Sequence, residues 1–189
     1  MSDTVVSDWF GPAFGRLHPM LQELHRQGGQ LRGPVEIRFG RGLAGILGRR
    51  IARRLGIPHD GGRHTLQVTI SHEDGALHWN RRFDDDHCFP STFLPSGHWP
   101  DGCWVEETAA ITLLLQVDVI DGGWYWRCIG ARRGAWRIPR WLLPRSRAGK
   151  RIEDGRYRFD VSFSLPLFGE VLAYGGLLEA ESASPRHIP

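Results

Sequence analysis

Apolar residues follow two different periods along this chain, and the change from one to the other divides it. Leu17, Met20, Leu21 and Leu24 fall three or four apart, which places one apolar stripe on a helix. Pro12 and the pair His18-Pro19 supply helix starts, because proline suits a first helical position. Gly28-Gly29 is the stop. Gln30 to Phe39 then alternates, with Leu31, Val35, Ile37 and Phe39 on one parity and Arg32, Glu36 and Arg38 on the other. That is the pattern of a half-buried strand, although Gly33-Pro34 interrupts its start. Gly42 to Leu55 returns to the helical period. Leu43, Leu47, Ile51 and Leu55 share one side, Ala44, Gly48 and Ala52 lie beside them, Arg49, Arg50 and Arg53 lie opposite, and Arg54 sits at the border. Gly56 and Pro58 end this helix.

From His64 onward the period is two. Leu66, Val68 and Ile70 alternate with polar residues, and Asp74-Gly75 signals a hairpin. Leu77, Trp79 and Phe83 share the next alternation, with His78, Asn80 and Arg82 opposite. Pro90, Pro95, Gly97 and Pro100 mark Asp84 to Gly102 as a long connection. Glu106 to Ile120 is one strand region, Asp121-Gly122-Gly123 a turn, and Trp124 to Ile129 a strand. Pro139 and Pro144 make Ala135 to Pro144 a loop or short helix. After Asp154-Gly155, Tyr157, Phe159, Val161, Phe163 and Leu165 line one face of a strand and Arg158, Asp160, Ser162 and Ser164 the other. Val171 to Glu179 is the last strand. Helices first and antiparallel strands afterwards predict an α+β fold: a strongly curved antiparallel sheet or partly closed barrel of about 7–8 strands, covered by the N-terminal helices. Residues 1–181 form a single domain and 182–189 a disordered tail.

Composition narrows the class. Of 189 residues, 41% are hydrophobic and 24% charged, which excludes a disordered chain. No apolar run approaches a membrane-spanning length, and the N-terminus has no signal pattern, so the expected location is the cytoplasm. Three cysteines do not suggest a disulfide framework. A net charge of +3 is too weak to imply nucleic acid. The basic residues are arginines apart from Lys150.

Several motifs invite chemistry. Gly40-Arg41-Gly42-Leu43-Ala44-Gly45 is a G-x-G-x-x-G between a strand and a helix, but Glu36 and Arg38 break the apolar run of a buried parallel strand. These glycines are therefore read as packing a helix on a sheet. His87, Cys88, His98 and Cys103 have the right atoms for zinc at no standard spacing, so no metal is assigned. Glu106, Glu107 and Asp160 are candidate proton carriers, with Arg158 beside Asp160 reading as a cross-strand salt bridge. No nucleophile elbow or triad is present, no catalytic residue or cofactor is assigned, and an enzyme is the weakest reading. Arg49, Arg50 and Arg53 offer a peripheral contact for an anionic membrane.

A series of segments occurs in a distinctive order: Gly40-Arg41-Gly42, Leu55-Gly56-Ile57-Pro58, Trp79-Asn80-Arg81-Arg82-Phe83 and Ile138-Pro139-Arg140-Trp141-Leu142-Leu143-Pro144. Gly155 to Val161, Pro166-Leu167-Phe168-Gly169 and Tyr174-Gly175-Gly176-Leu177 complete it. This order resembles a bacterial domain-of-unknown-function family, number 4166, from Leu17 to Leu178. Members occur alone or behind saccharopine-dehydrogenase-like or epimerase-like nucleotide-binding domains. Lys150 to Asp154 and Pro90 to Pro100 depart from the pattern. The resemblance implies no activity or catalytic residue, and only a loose link with small-molecule or lipid metabolism.

Eight tryptophans, among them Trp79, Trp104, Trp124, Trp126, Trp136 and Trp141, suit the lining of an apolar pocket as well as a core. The leading expectation is a non-catalytic module that holds a hydrophobic or amphipathic small molecule on the concave face. Trp79, Phe83, Trp126, Phe159 and Tyr174 supply surface, and Arg82 or Arg127 meets an anionic head group. Parity sets Arg82 opposite Trp79 and Phe83, so the whole set does not share one interior. The alternative is an accessory domain that docks a nucleotide-binding oxidoreductase or epimerase-like enzyme and has no ligand of its own. An enclosed apolar cavity favours the first reading; a filled interior with an exposed apolar patch favours the second.

Overall fold

A computed structural model describes residues 4–107, 111–139 and 145–181. The expected tail at 182–189, Trp141 and Pro144 lie outside the described residues.

Three helical pieces open the chain: α1 (Val5–Phe10), a 3-10 turn (Gly11–Arg16) and α2 (Pro19–Gln27). After β1 (Gly29–Phe39) comes α3 (Leu43–Leu55), and the rest is strand. The strands are β2 (Gly62–Glu73), β3 (Ala76–Phe83), β4 (His87–Ser96), β5 (Cys103–Glu107), β6 (Thr112–Ile120), β7 (Gly123–Arg133), β8 (Trp136–Arg137), β9 (Arg145–Glu153), β10 (Arg156–Leu165) and β11 (Gly169–Glu181). Every pairing is antiparallel. Each strand pairs with the next in sequence, except that β7 reaches past two-residue β8 to β9, and β1 meets β11. The additional β6–β7 pairing closes the ring, with β8 hanging from β7. The fold is thus α+β with a closed ten-stranded antiparallel barrel, not a sheet of 7–8 strands.

Three features account for the higher count. Asp84 to Gly102 is not one long connection, because His87–Ser96 is β4. Its prolines sit where the strand has a single neighbour: Pro90 pairs only with β3 and Pro95 only with β5, so neither missing N–H removes a ladder bond on both sides. Glu106 to Ile120 is two strands, paired at Glu107 and Thr112, not one. Finally, β9 (Arg-Ser-Arg-Ala-Gly-Lys-Arg-Ile-Glu) carries almost no apolar alternation, and only the hairpin turn at Asp154-Gly155 signals it. Ala135 to Pro139 is not a helix; it contributes β8 and its turn.

Both mouths are covered. At one end, Trp99 N–H donates to the Trp9 carbonyl (3.0 Å) and His18 N–H to the Gly122 carbonyl (2.9 Å). A Thr4–Ser7 capping box starts α1, and Thr4 Oγ1 donates to the His25 carbonyl at 2.9 Å, tying α1 to α2. Helix α3 spans the other end. A Cβ on Gly48 would fall 1.8 Å from the Val171 carbonyl oxygen of β11, and one on C-cap Gly56 2.3 Å from that of Cys88 in β4. The buried face of α3 is Ala44, Gly45, Gly48 and Ala52, while Leu47, Ile51 and Leu55 are half-buried and Leu43 is exposed. Close backbone approach, rather than the leucine row, therefore seats this helix.

Candidate binding site inside the barrel

Alternation along each strand sends one parity inward. Trp79, Phe83, Trp126, Phe159 and Tyr174 all arrive inside and are buried. They form a continuous surface: ring centroids are 6.4 Å apart for Trp79–Phe159, 5.7 Å for Phe159–Tyr174 and 5.8 Å for Phe83–Tyr174. Trp126 joins through Phe93, stacked at 5.4 Å and itself 6.1 Å from Trp79. Arg82 and Arg127 are not with them. Both are exposed on the outer wall, because each follows an inward residue by one position and the pleat turns it out. Arg127 is bound there to Asp118 (3.2 Å) and Gln116 (3.0 Å).

The inward cation is Arg81, between Trp79 and Phe83 on their own parity. Its guanidinium hydrogen-bonds the Ser91 hydroxyl, lies 3.6 Å from Glu106 Oε1 and covers the Phe89 ring at 4.0 Å. Its Nε has no partner among the described residues. The Tyr157 hydroxyl is buried near Arg81 with no hydrogen-bond partner among the described residues, while the Tyr174 hydroxyl is buried where the Arg81 guanidinium interacts with it. Burial pushes both phenols above their ordinary value, with Arg81 acting weakly the other way. Among the described residues the indole N–H groups of Trp9, Trp79, Trp104 and Trp124 also have no acceptor. The interior thus holds a surplus of hydrogen-bond donors.

A second buried cluster lies under the N-terminal helices. Lys150 Nζ is 2.8 Å from His25 Nε2 and faces the rings of Trp124 (3.6 Å) and Trp79 (4.3 Å). Ring faces favour an ammonium, whereas burial favours the neutral amine. Burial dominates here, since no carboxylate pairs with Lys150 among the described residues, and it holds the amine well below 10.5. His25 is held well below 6.5 by burial and then by Lys150. The end above this cluster is filled by aromatic rings: Trp9–Trp104 at 5.3 Å, Phe10–Trp124 at 4.9 Å and Trp124–Trp126 at 4.9 Å. The polar set around Arg81 lies further toward α3.

Other sequence candidates resolve differently. His87 and Cys88 begin β4 while His98 and Cys103 lie beyond its far end, so the strand's length separates them. Gly40 and Gly45 pack against each other and against β11; a Cβ on Gly45 would stand 2.3 Å from the Gly40 carbonyl oxygen. Asp160 is an outward residue bound by Arg158 and Arg151, both at 3.0 Å. Glu106 is the exception among the carboxylates: it is buried beside Arg81, while Glu107 is exposed. The outer wall also carries an open groove of about 690 Å³ over β6, β7, β9, β10, β11 and β1, edged by Arg38, Arg145 and Arg147.

Arg81 was legible, since its parity already placed it between two apolar neighbours. Lys150 and His25 were not, because their meeting spans 125 positions of sequence. A family model described as "Domain of unknown function (DUF4166)" matches residues 17–178. No curated protein matches the chain.

Proposed function

We propose that this chain, which belongs to the DUF4166 family, is a non-catalytic container for an amphipathic small molecule bearing hydrogen-bond acceptors. The observation that carries this reading is the chemistry of the orphaned interior atoms. Arg81 Nε, the Trp79 indole and the Tyr157 hydroxyl can all donate and have no acceptor among the described residues. A buried polar group left unpaired costs about 1–3 kcal/mol, so several in one interior is a large cost for the protein alone. A carbonyl or carboxylate placed beside Arg81 accepts from its Nε, and the Phe83–Tyr174–Phe159–Trp79 surface takes the apolar remainder. Helix α3 serves as the lid. Its seat is made of small side chains, and it is flanked by Gly42 (φ 57°) and Gly56 (φ 73°), backbone conformations that favour glycine.

The end of the interior that aromatic rings fill supports the second reading, an accessory domain that docks a nucleotide-binding enzyme. Dodecanoate titration separates the two. The container reading expects micromolar binding by calorimetry and a change in tryptophan emission. Tyr157→Phe then weakens binding about tenfold without loss of thermal stability, because it removes a hydroxyl that has no partner among the described residues. No heat or emission change up to roughly 1 mM dodecanoate overturns the container reading.

A further inference from the structure

Most of the large apolar side chains left in solvent gather at one end; among the described residues, Ile120 (54%) at the opposite end and Leu94 (36%) on β4 are the exceptions. The four most exposed are Leu167 (102%), Trp136 (82%), Leu43 (70%) and Ile46 (66%), with Phe168 (44%) beside Leu167. All five lie at the α3 end of the barrel. Leu43 and Ile46 are on the outer face of α3; Leu167 and Phe168 form the β10–β11 turn, just before the residues on which α3 rests; Trp136 is on β8, beyond the end of β7. Leu167 also holds φ at 71°, a conformation that costs a leucine energy and that glycine or asparagine takes without strain. A strained leucine fully in water at a hairpin tip has no use in the core.

Charge sorts along the same axis. Arg41, Arg50, Arg53, Arg132 and Arg133 are exposed at the α3 end, and Arg145 stands on the outer wall below it. Turns at the opposite end carry mostly acids, Glu73-Asp74, Asp101, Asp121 and Glu153-Asp154, with Arg16 and Arg156 as exposed bases among them. The counter-charge at the α3 end is Asp60, Asp84, Asp85, Asp86, Glu107 and Glu170, of which Asp84 already binds His64 and the Thr65 N–H. From this arrangement we propose that the α3 end is a docking face for an anionic lipid bilayer. Leu43, Ile46, Leu167, Phe168 and Trp136 enter the headgroup region, and the arginines meet lipid phosphates.

Separate apolar projections in a field of arginine fit a bilayer better than a protein partner, whose interface core is a contiguous apolar patch depleted in charge. They also fit it better than nucleic acid, for which aliphatic side chains in solvent supply nothing. The proposal stands apart from the container reading, since docking needs no ligand.

Sedimentation of the whole chain with vesicles tests it. The protein is expected to pellet with phosphatidylglycerol-containing vesicles and to stay in solution with pure phosphatidylcholine. Arg49→Glu/Arg50→Glu/Arg53→Glu abolishes pelleting. Leu43→Ser/Ile46→Ser/Leu167→Asn lowers vesicle affinity about tenfold at unchanged thermal stability. Leu167→Asn alone, which suits the positive φ and keeps the fold, weakens it measurably. Wild-type affinity in the apolar variants, absence of pelleting with anionic vesicles, or binding to duplex DNA in preference to them overturns the proposal.

Discussion

Lys150 is the only lysine of the chain, and the fold buries it under the N-terminal helices against two tryptophan faces and a histidine. A base whose folded pKa is depressed binds fewer protons folded than unfolded. Stability therefore rises with pH from the depressed folded value up to the 10.5 of unfolded lysine. The buried tyrosines act with the opposite sign only above their ordinary 10.0, where the folded state keeps protons that the unfolded state loses. Melting temperature is thus expected to climb between neutral pH and about 9.5 in the native protein. Lys150→Met flattens that slope. An unchanged slope in the variant means that Lys150 is charged when folded. Alternation places Trp79 and Phe83 on one face, and Arg81 shares their parity, although the cations expected there are Arg82 and Arg127. It could not tell that Arg81 would meet Glu106 on β5 or that Lys150 would meet His25 on α2, because both meetings depend on how distant segments pack.

At the scale of elements, α3 shows where periodicity stops being sufficient. Its bounds and its arginine face follow from the sequence, yet the face that packs is Ala44, Gly45, Gly48 and Ala52. Gly48→Ala tests that seat. An exposed helix position gains about 1 kcal/mol from this change. Here the new methyl meets the Val171 carbonyl, so α3 must shift outward. Urea unfolding is expected to show a net loss of about 1–3 kcal/mol, as overpacking does. A gain would mean that α3 is not held against β11. Strand β9 makes the complementary point. With inward Ala148 and Lys150 and outward Arg145, Arg147 and Arg151, it lacks the usual pattern, and its two neighbours impose strand geometry on it.

Over the whole molecule, closure leaves no sheet edge along the ring, and the two covers are the parts able to open. The cover made by α1 and α2 carries a pH dependence. His25 is neutral inside, so below 6.5 the unfolded chain takes up a proton that the folded chain refuses, and stability falls as pH falls. His72, also lowered by burial, adds in the same direction, whereas His64 on the barrel, lowered by burial but raised on balance by Asp84, Gly61 and Asp60, opposes it. Amide exchange corrected for intrinsic rate is expected to accelerate over residues 5–27 below pH 6.5 before the barrel strands respond. Simultaneous exchange of cover and barrel would show instead that α1 and α2 do not open as a unit.

The order of elements, the inward parity of most strands, the arginine face of α3 and the turns at Asp-Gly pairs were determined by local sequence, because each depends on neighbours a few residues away. Ring closure, the split of Glu106 to Ile120, the strand character of β9 and the placing of α3 across a mouth were decided by tertiary structure. Hydrogen bonds between remote strands and close backbone contacts at glycine set them. The interior cations belong to the same class: alternation turns a side chain inward, but only the packed barrel determines what it finds there.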